Sequence, residues 1–456
     1  NTLAYGVMLI PSAFLAYIPV KLTGSHFLAY NFSIVISQFL TVTVLFLWFK
    51  ELTKSRFASL IGTLTFALSQ IRMLFVVHAH FFIMQWFLTS SFMIWRYTQN
   101  KKIWQLYVAS LFLVIQIWDN IYLFYWTAFL GAILLFPHLK NLKKGFKHLI
   151  RISFFVVIFS LPVFNAYLSV YRQFGFAGSI RESAHFSMSF DDIWKSYISY
   201  GLYLNLLIVL LFTKKVKSGK LKDLKWILLL LFFGIVMALG PVLKLEGETF
   251  KLFGRYFIPL PYTLFYYLLP GFSALRSVHR FIWLSGLAAS GIMALLFSNL
   301  VGKKKFYVGF LLIIIAIVGG VRITKTLSFP TPENYPQVYI WLKEQKGDAI
   351  LEYPVYTWAD ENHGYEMLRM LYSSLHGKSL INGASGFMPK ERDVLLAEII
   401  TDYPTMRLNQ VLKEMGVDFV IVHKDEVGNE KITEFESDER LKKVWEDSKI
   451  SVYSLN

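Results

Sequence analysis

The stretch GFSALRSVHRF, Gly271 to Phe281, sets two arginines four residues apart with a histidine between them. Helical spacing would put Arg276 and Arg280 on one face, with His279 beside them. A guanidinium binds phosphate oxygens in pairs, and partial burial strengthens the contact, so this trio could hold the phosphate of a lipid. The plainer alternative is anchoring: arginines at a helix end reach the membrane interface and meet headgroup phosphates without a specific site. His78 and His80 in VVHAHFF form a His-x-His unit that could ligate a divalent metal, but no third ligand lies nearby in sequence. Asp119 and Asn120 stand between two apolar runs. Turn chemistry accounts for them, and Asp119 is also a candidate base. In GSIRESAHFSMSFDDIW the residues Arg181, Glu182, His185, Asp191 and Asp192 crowd together. Glu182 and Asp191 are further acid candidates, while capping of the next helix is the competing role for Asp191 or Asp192.

Nearer the C-terminus, SLHGKSLINGASGF is a Gly- and Ser-rich stretch offering His376, Lys378, Asn382 and Ser385. It reads either as a loop that closes over a substrate or as an ordinary connection. With His78 and His80, these four residues are the substrate-pocket candidates. Trp358, Tyr365 and Tyr353 have rings that could stack on a sugar, and core packing suits each of them as well.

The elements that must position these groups follow from composition. Of 456 residues, 55% are hydrophobic and only 17% charged, against roughly a quarter charged in soluble domains. Several runs of 18 or so residues are nearly free of charge, the length that crosses a bilayer core of about 30 Å. The expectation is a polytopic α-helical membrane protein. With no cysteine, disulfides and Cys-based metal sites are excluded. The net charge of +16 comes from the region before Val321, which holds only eight of the 30 acidic residues. Its basic excess lies in short loops, a pattern that orients membrane helices rather than one that binds nucleic acid.

Five basic loops, Lys50 to Arg56, Arg96 to Lys102, Lys140 to Arg151, Lys214 to Lys225 and Lys303 to Lys305, belong in the cytoplasm by the positive-inside rule. The intervening spans fall near 26–49, 57–71, 80–95, 103–119, 121–137, 152–170, 201–212, 226–243, 281–300 and 306–321. The connections near 72–79, 119–120, 171–200 and 244–280 are then outside, with Arg276 and Arg280 among them. Leu3 to Val20 either spans as an eleventh segment or dips in from the outer face around Pro11. After Val321 three prolines and frequent charge mark a change of domain. AILEYPV and DFVIVHK read as buried strands, YPQVYIWLKEQ, RDVLLAEIITDY and PTMRLNQVLKEMG as helices, and WEDSKISVYSL as a strand pair. The expected organisation is a membrane domain over 1–321 and an extracytoplasmic α/β domain over 322–456. No Walker A sequence, dinucleotide fingerprint, GxSxG or HExxH occurs, which argues against an ATP-driven pump or serine hydrolase. No cofactor is evident. The scarcity of intramembrane charge and the lack of a repeat argue against a secondary transporter.

Several stretches together resemble bacterial membrane proteins of the GT-C glycosyltransferase superfamily, including its YfhO-like branch. They are NTLAYGVMLIPSAFLAYIPVKLTGSHFLAYN, HAHFFIMQW, IPLPYTLFYYLLPGFSALRSVHRF, YSSLHGKSLINGASGFMP and MGVDFVIVH, in that order. The resemblance implies inverting sugar transfer from a polyprenyl-phosphate carrier to an acceptor outside the bacterial cytoplasmic membrane. It also implies an essential Asp or Glu just after the first transmembrane helix. The chain opens on Asn1 rather than Met, so the expectation is that this helix and its acid lie upstream, leaving the sequence in hand without its base. Arg276, Arg280 and His279 would then hold the leaving lipid phosphate. The competing expectation is a non-catalytic protein that binds or moves a lipid-linked envelope polymer.

Overall fold

The computed structural model describes residues 8–73, 78–139, 145–175, 178–195, 200–212, 221–321, 334–357, 360–383 and 389–455. The chain divides into two compact units, Val7–Lys325 and Thr326–Asn456. In the first, the helices are α1 (Ile10–Thr23), α2 (His26–Thr53), α3 (Arg56–Ala67), α4 (Gln70–Met73), α5 (Ala79–Phe82), α6 (Gln85–Asn100), α7 (Trp104–Asp119) and α8 (Ile121–Leu135). There follow α9 (Phe146–Phe174), α10 (Ile180–His185), α11 (Asp192–Lys195), α12 (Tyr200–Phe212), α13 (Leu221–Ala238), α14 (Pro261–Leu268), α15 (Ile282–Phe297) and α16 (Gly302–Val321).

Side-chain caps set several of their starts. The hydroxyls of Ser25, Ser55 and Ser179 accept from the amides of Leu28, Ala58 and Glu182, and Asn120 Oδ1 accepts from Tyr122. Among the described residues, four helices are long and apolar enough to cross a membrane: His26–Thr53, Ile121–His138, Phe146–Phe174 and Val278–Phe297. These four fit a membrane protein. Of the other inferred spans, α13 and α16 run unbroken for 18 and 20 residues but open on three charged residues each, and the rest are broken or shorter. The 57–71 span is interrupted between α3 and α4, and the 80–95 span at Ile83–Met84. Helix α1 has 14 residues, about 21 Å, which is too short to cross. Pro11 sits in its first turn, where a missing N–H costs nothing, rather than at its centre. The 244–260 connection is not a plain loop. It folds into two small hairpins, β1 (Lys244–Leu245) with β2 (Glu248–Thr249) and β3 (Lys251–Leu252) with β4 (Tyr256–Phe257).

Helix α15 is the axis of the unit, since every one of its 16 residues is buried. Its small residues let neighbours approach closely, as small-residue faces do between membrane helices. A Cβ on Gly62 of α3 would come within 2.7 Å of Ala294 Cβ. Helices α13, α3 and α12 pack around it.

Polar contacts collect at two ends of this unit. At one, Arg96 pairs with Glu51 at 3.2 Å, Trp95 Nε1 donates to Asp223 at 3.2 Å, and Lys101 Nζ meets His138 Nδ1 at 3.1 Å. Four of the basic loops, or the helix ends beside them, therefore gather together. At the other end lie the connections inferred to be outside.

The second unit alternates helix and strand: α17 (Gln337–Glu344), β5 (Ala349–Tyr353), α18 (Gly364–His376), β6 (Ser379–Leu380), α19 (Lys390–Asp402), α20 (Met406–Glu414), β7 (Val417–His423), α21 (Asn429–Ser437), β8 (Lys442–Glu446) and β9 (Ile450–Ser454). The sheet order is β6-β5-β7-β9-β8. Strands β6, β5 and β7 are parallel, and β9 and β8 close the sheet antiparallel. Leu351, Tyr353, Val420 and Val422 pack with Tyr403, Leu408, Leu412 and Phe435 to form its core.

Candidate functional site

The stretch around Arg276 and Arg280 is not one helix. Pro270 and Gly271 end α14, with Gly271 at φ 74°, where a side chain would be strained. Two 3₁₀ turns follow, Phe272–Ala274 and Val278–Phe281, separated by the non-helical residues Leu275–Ser277. Arg276 lies in the break and Arg280 in the second turn, so the expected shared helical face does not form. The break is held from outside: Tyr262 Oη donates to the Leu275 carbonyl at 3.1 Å, and Tyr122 Oη accepts from the Ser277 amide at 2.9 Å.

The two arginines still act on each other and on common neighbours. Arg280 lies over the Phe81 ring, 4.1 Å from its centroid, and interacts electrostatically with His78, His80, Tyr122 and Arg276. His78 and His80 face each other edge-on at 5.7 Å, and His78 also acts on His279. His279 Nδ1 bonds the Phe186 carbonyl at 2.9 Å. A carbonyl can only accept, so Nδ1 carries the proton. Arg276 Nη1 pairs with Glu182 Oε1 at 3.2 Å, both groups being partly exposed. The sequence candidates Arg276, His279, Arg280, His78, His80 and Glu182 thus come together on three separate chain segments. Phe81 and Tyr122, which sequence reasoning missed, link them. Each adjoins a candidate in the sequence, Phe81 next to His80 and Tyr122 two residues after Asn120.

Asp119 borders this cluster. Asn120 Nδ2 donates to the His80 carbonyl at 2.5 Å. Asp119 itself is fully buried at the end of α7. Its Oδ1 accepts from the Ser12 amide and hydroxyl at 3.1 and 2.5 Å, which pins the start of α1, while Oδ2 has no hydrogen-bond partner. The Asp191 carboxylate accepts from the Glu246 amide at 2.7 Å and holds the first hairpin. Asp192 Oδ2 accepts from the Ser189 amide at 2.9 Å. Among the described residues no group of three or more His, Asp or Glu could hold a metal ion.

The described lid candidates of the second unit, His376, Lys378 and Asn382, are buried in its body. Lys378 Nζ donates to the Gln345 and Gly347 carbonyls at 2.7 and 2.9 Å. Ser379–Leu380 is the edge strand β6, a connection only two residues long that composition did not reveal. Ser385 and Trp358 lie outside the described residues. Tyr353 is a core residue against Tyr403 and Phe435, and Tyr365 is exposed.

Asn382 leads to a second cluster at the carboxyl ends of β5 and β7, where the chain has gone from β5 to one neighbour and returned to the other side. Arg369 is its centre, at 2.9 Å from Glu366, 2.7 Å from Glu426 and 3.5 Å from Glu352. Glu352 Oε2 also accepts from His423 Nε2 and Tyr339 Oη at 2.8 and 2.7 Å. Asn382 bridges Glu366 Oε2 at 2.7 Å and the Glu352 amide at 3.1 Å. Burial alone would push the Glu352 carboxyl up, but the His423 hydrogen bond and the charges of His423 and Arg369 hold it below the ordinary value. For Glu366 burial wins and the carboxyl is raised, although Arg369 opposes it.

A scan against protein-family models and a search of curated proteins both return no match to this chain.

Proposed function

We propose that the protein is a membrane glycosyltransferase that takes a sugar from a polyprenyl-phosphate carrier and transfers it to an envelope acceptor outside the bacterial cytoplasmic membrane. The observation that supports this reading is the convergence of Arg276, Arg280, His279, His78 and His80 at the end of the unit opposite four of the basic loops. A leaving phosphate carries developing negative charge, and fixed cations aimed at it stabilise the transition state. The acceptor hydroxyl oxygen forms the new bond to the sugar's anomeric carbon. The bond from that carbon to the phosphate oxygen breaks, its electron pair stays on the phosphate, and the hydroxyl proton passes to a carboxylate. Of the acids beside the cluster, Glu182 is already tied to Arg276 and Asp192 to the Ser189 amide, whereas Asp119 keeps one oxygen without a partner. Asp119 is the best placed of them to act as base.

The alternative reading, a protein that holds or moves a lipid-linked polymer without chemistry, draws support from Asp119 being fully buried beneath the start of α1. One assay separates them. Membranes containing the protein and a lipid-phosphate sugar should release polyprenyl phosphate, and the Arg276→Gln/Arg280→Gln variant should lose on the order of a hundredfold or more of that rate. No release by the unaltered protein would favour the binding role, and unchanged release by the double variant would refute the arginines' part.

A further inference from the structure

We infer that Arg72 is the cation of a buried oxyanion site inside the first unit, separate from the Arg276–Arg280 cluster and independent of whether a sugar is transferred. Arg72 lies in α4 and is fully buried. Its Nη1 donates to Met84 Sδ at 2.6 Å, and its Nη2 donates to Gln38 Oε1 at 2.8 Å and to the Phe82 carbonyl at 3.0 Å. The guanidinium also lies 4.5 Å from the Phe82 ring centroid, 5.5 Å from that of Phe66 and 5.9 Å from that of Trp283. These neighbours are dipoles and π faces. None carries a formal negative charge.

The missing countercharge can be sought exhaustively, because the unit has only eight acidic residues and all lie among those described. Glu51 pairs with Arg96, Glu182 with Arg276, and Asp223 bonds Trp95 and Trp226. Asp119 holds Ser12, Asp191 holds the Glu246 amide and Asp192 the Ser189 amide. Glu246 and Glu248 are exposed on the first hairpin. Not one pairs with Arg72. Arginine keeps its charge in proteins, and an isolated buried cation is among the costliest groups a fold can carry. Within apolar helices such a residue is a functional site by default.

The donor count points the same way. Three of the five guanidinium N–H groups are used, and Nε–H is buried with no partner. An uncompensated buried cation whose Nε–H is unused suits an anionic oxygen as its acceptor. One turn along α2 from Gln38, the Thr41 hydroxyl is buried and also without a partner, a further donor on the same helix. The ligand class is therefore a phosphate-like oxyanion, either a free ion or the headgroup of a phosphorylated lipid.

The test is thermal unfolding of the full chain in detergent at constant ionic strength, titrated with inorganic phosphate in one arm and with micellar phosphatidic acid in the other. The unaltered protein should gain Tm with rising ligand, as linkage requires when only the folded state binds. A response to inorganic phosphate identifies a free-ion site, and a response to phosphatidic acid alone identifies a headgroup site. Arg72→Met should raise Tm without ligand and abolish the response, while Arg276→Gln/Arg280→Gln should keep it. If Arg72→Met does not fold, Arg72→Lys decides: losing the Nε–H donor should raise the half-effect concentration roughly 10- to 100-fold. The inference is overturned by no response in either arm, by a response that survives Arg72→Met, by an unshifted titration in Arg72→Lys, or by loss of the response in the Arg276/Arg280 variant. That variant's own loss of lipid-phosphate release bears on the transferase reading alone, so the two proposals can fail separately.

Discussion

Arg369 offers the sharpest test of how the second unit is held together. Replacing it by methionine keeps much of the volume and removes the charge. Arg369 is 2% exposed, and its partners Glu352 and Glu366 are 0 and 2% exposed, with Glu426 at 13%. Arg369 Nη1 also donates to the Pro354 carbonyl at 2.6 Å. Breaking a buried ion pair from one side costs about 3–5 kcal/mol, because the remaining charge stays buried without compensation. Here two deeply buried carboxylates lose their cation at once, which places the cost toward the upper part of that range. A domain's whole stability is roughly 5–15 kcal/mol, so the change removes a large fraction of it.

The pH dependence gives the prediction its sign. In the unaltered protein the Glu352 carboxyl is depressed, so its contribution is present above its unfolded value and is lost as pH falls through the folded one. Without Arg369 the term that opposes burial at Glu352 and Glu366 disappears, and both carboxyls move up. A raised carboxyl favours the fold at low pH and costs stability as pH rises through its folded value. The gap between the two proteins should therefore be widest near pH 7 and shrink toward about pH 4, near the unfolded carboxylate range. Hydrogen exchange of β5 and β7 amides in the full chain, corrected for intrinsic rates, reads this directly. Exchange should speed up by roughly three to four orders of magnitude at pH 7 if it proceeds through opening of the unit. A cost below about 1 kcal/mol, or a gap that does not narrow in acid, would refute the reasoning.

Further outcomes follow from the first unit. The chain has no cysteine, so single cysteines at the exposed positions Glu248 and Lys102 can be labelled unambiguously in sealed vesicles. A membrane-impermeant maleimide should reach them from opposite sides, and labelling of both from one side would overturn the orientation drawn from loop charge. Gly62→Leu should destabilise the helical unit by about 1–3 kcal/mol or more, since its Cβ already meets Ala294 at 2.7 Å and the Ser290 carbonyl at 3.0 Å. An unchanged Tm in detergent would show that α3 and α15 are less tightly apposed than this contact requires.

Much of this arrangement was written plainly in the sequence. Runs of Val, Ile, Leu and Phe in AILEYPV and DFVIVHK made β5 and β7 legible, because a strand covered on both faces needs no alternation. The charge of the short loops separated the two polar ends of the first unit, as Arg96 with Glu51 and the His78–Arg280 neighbourhood show. The geometry of the arginine pair was not legible. Spacing of four implies one face only in an α-helix, and backbone bonds from Tyr262 and Tyr122, distant in sequence, hold Leu275–Ser277 out of that conformation. Strand β6 escaped notice because two residues between Gly377 and Gly383 carry no periodicity, so His376, Lys378 and Asn382 looked available when they are buried. Arg72 was read as part of an outer connection. Its burial depends on rings from α3, α5 and α15 that no local pattern links to it.

The two buried arginines show how differently one residue type can be accommodated. Arg369 sits among three carboxylates supplied by a charge-rich region, and the network is complete once it is present. Arg72 lies in a region of eight acids, six bonded to other partners and two exposed on a hairpin, and is met by a thioether, an amide, a carbonyl and aromatic faces. Neutralising the two should therefore have opposite signs. Methionine at 369 strands negative charge and destabilises its unit, whereas methionine at 72 removes an uncompensated positive charge and relieves its unit when no anion is bound. A group retained at a cost to the empty protein is best explained by what it holds when the protein is occupied, and for Arg72 the chemistry left open is that of an oxyanion.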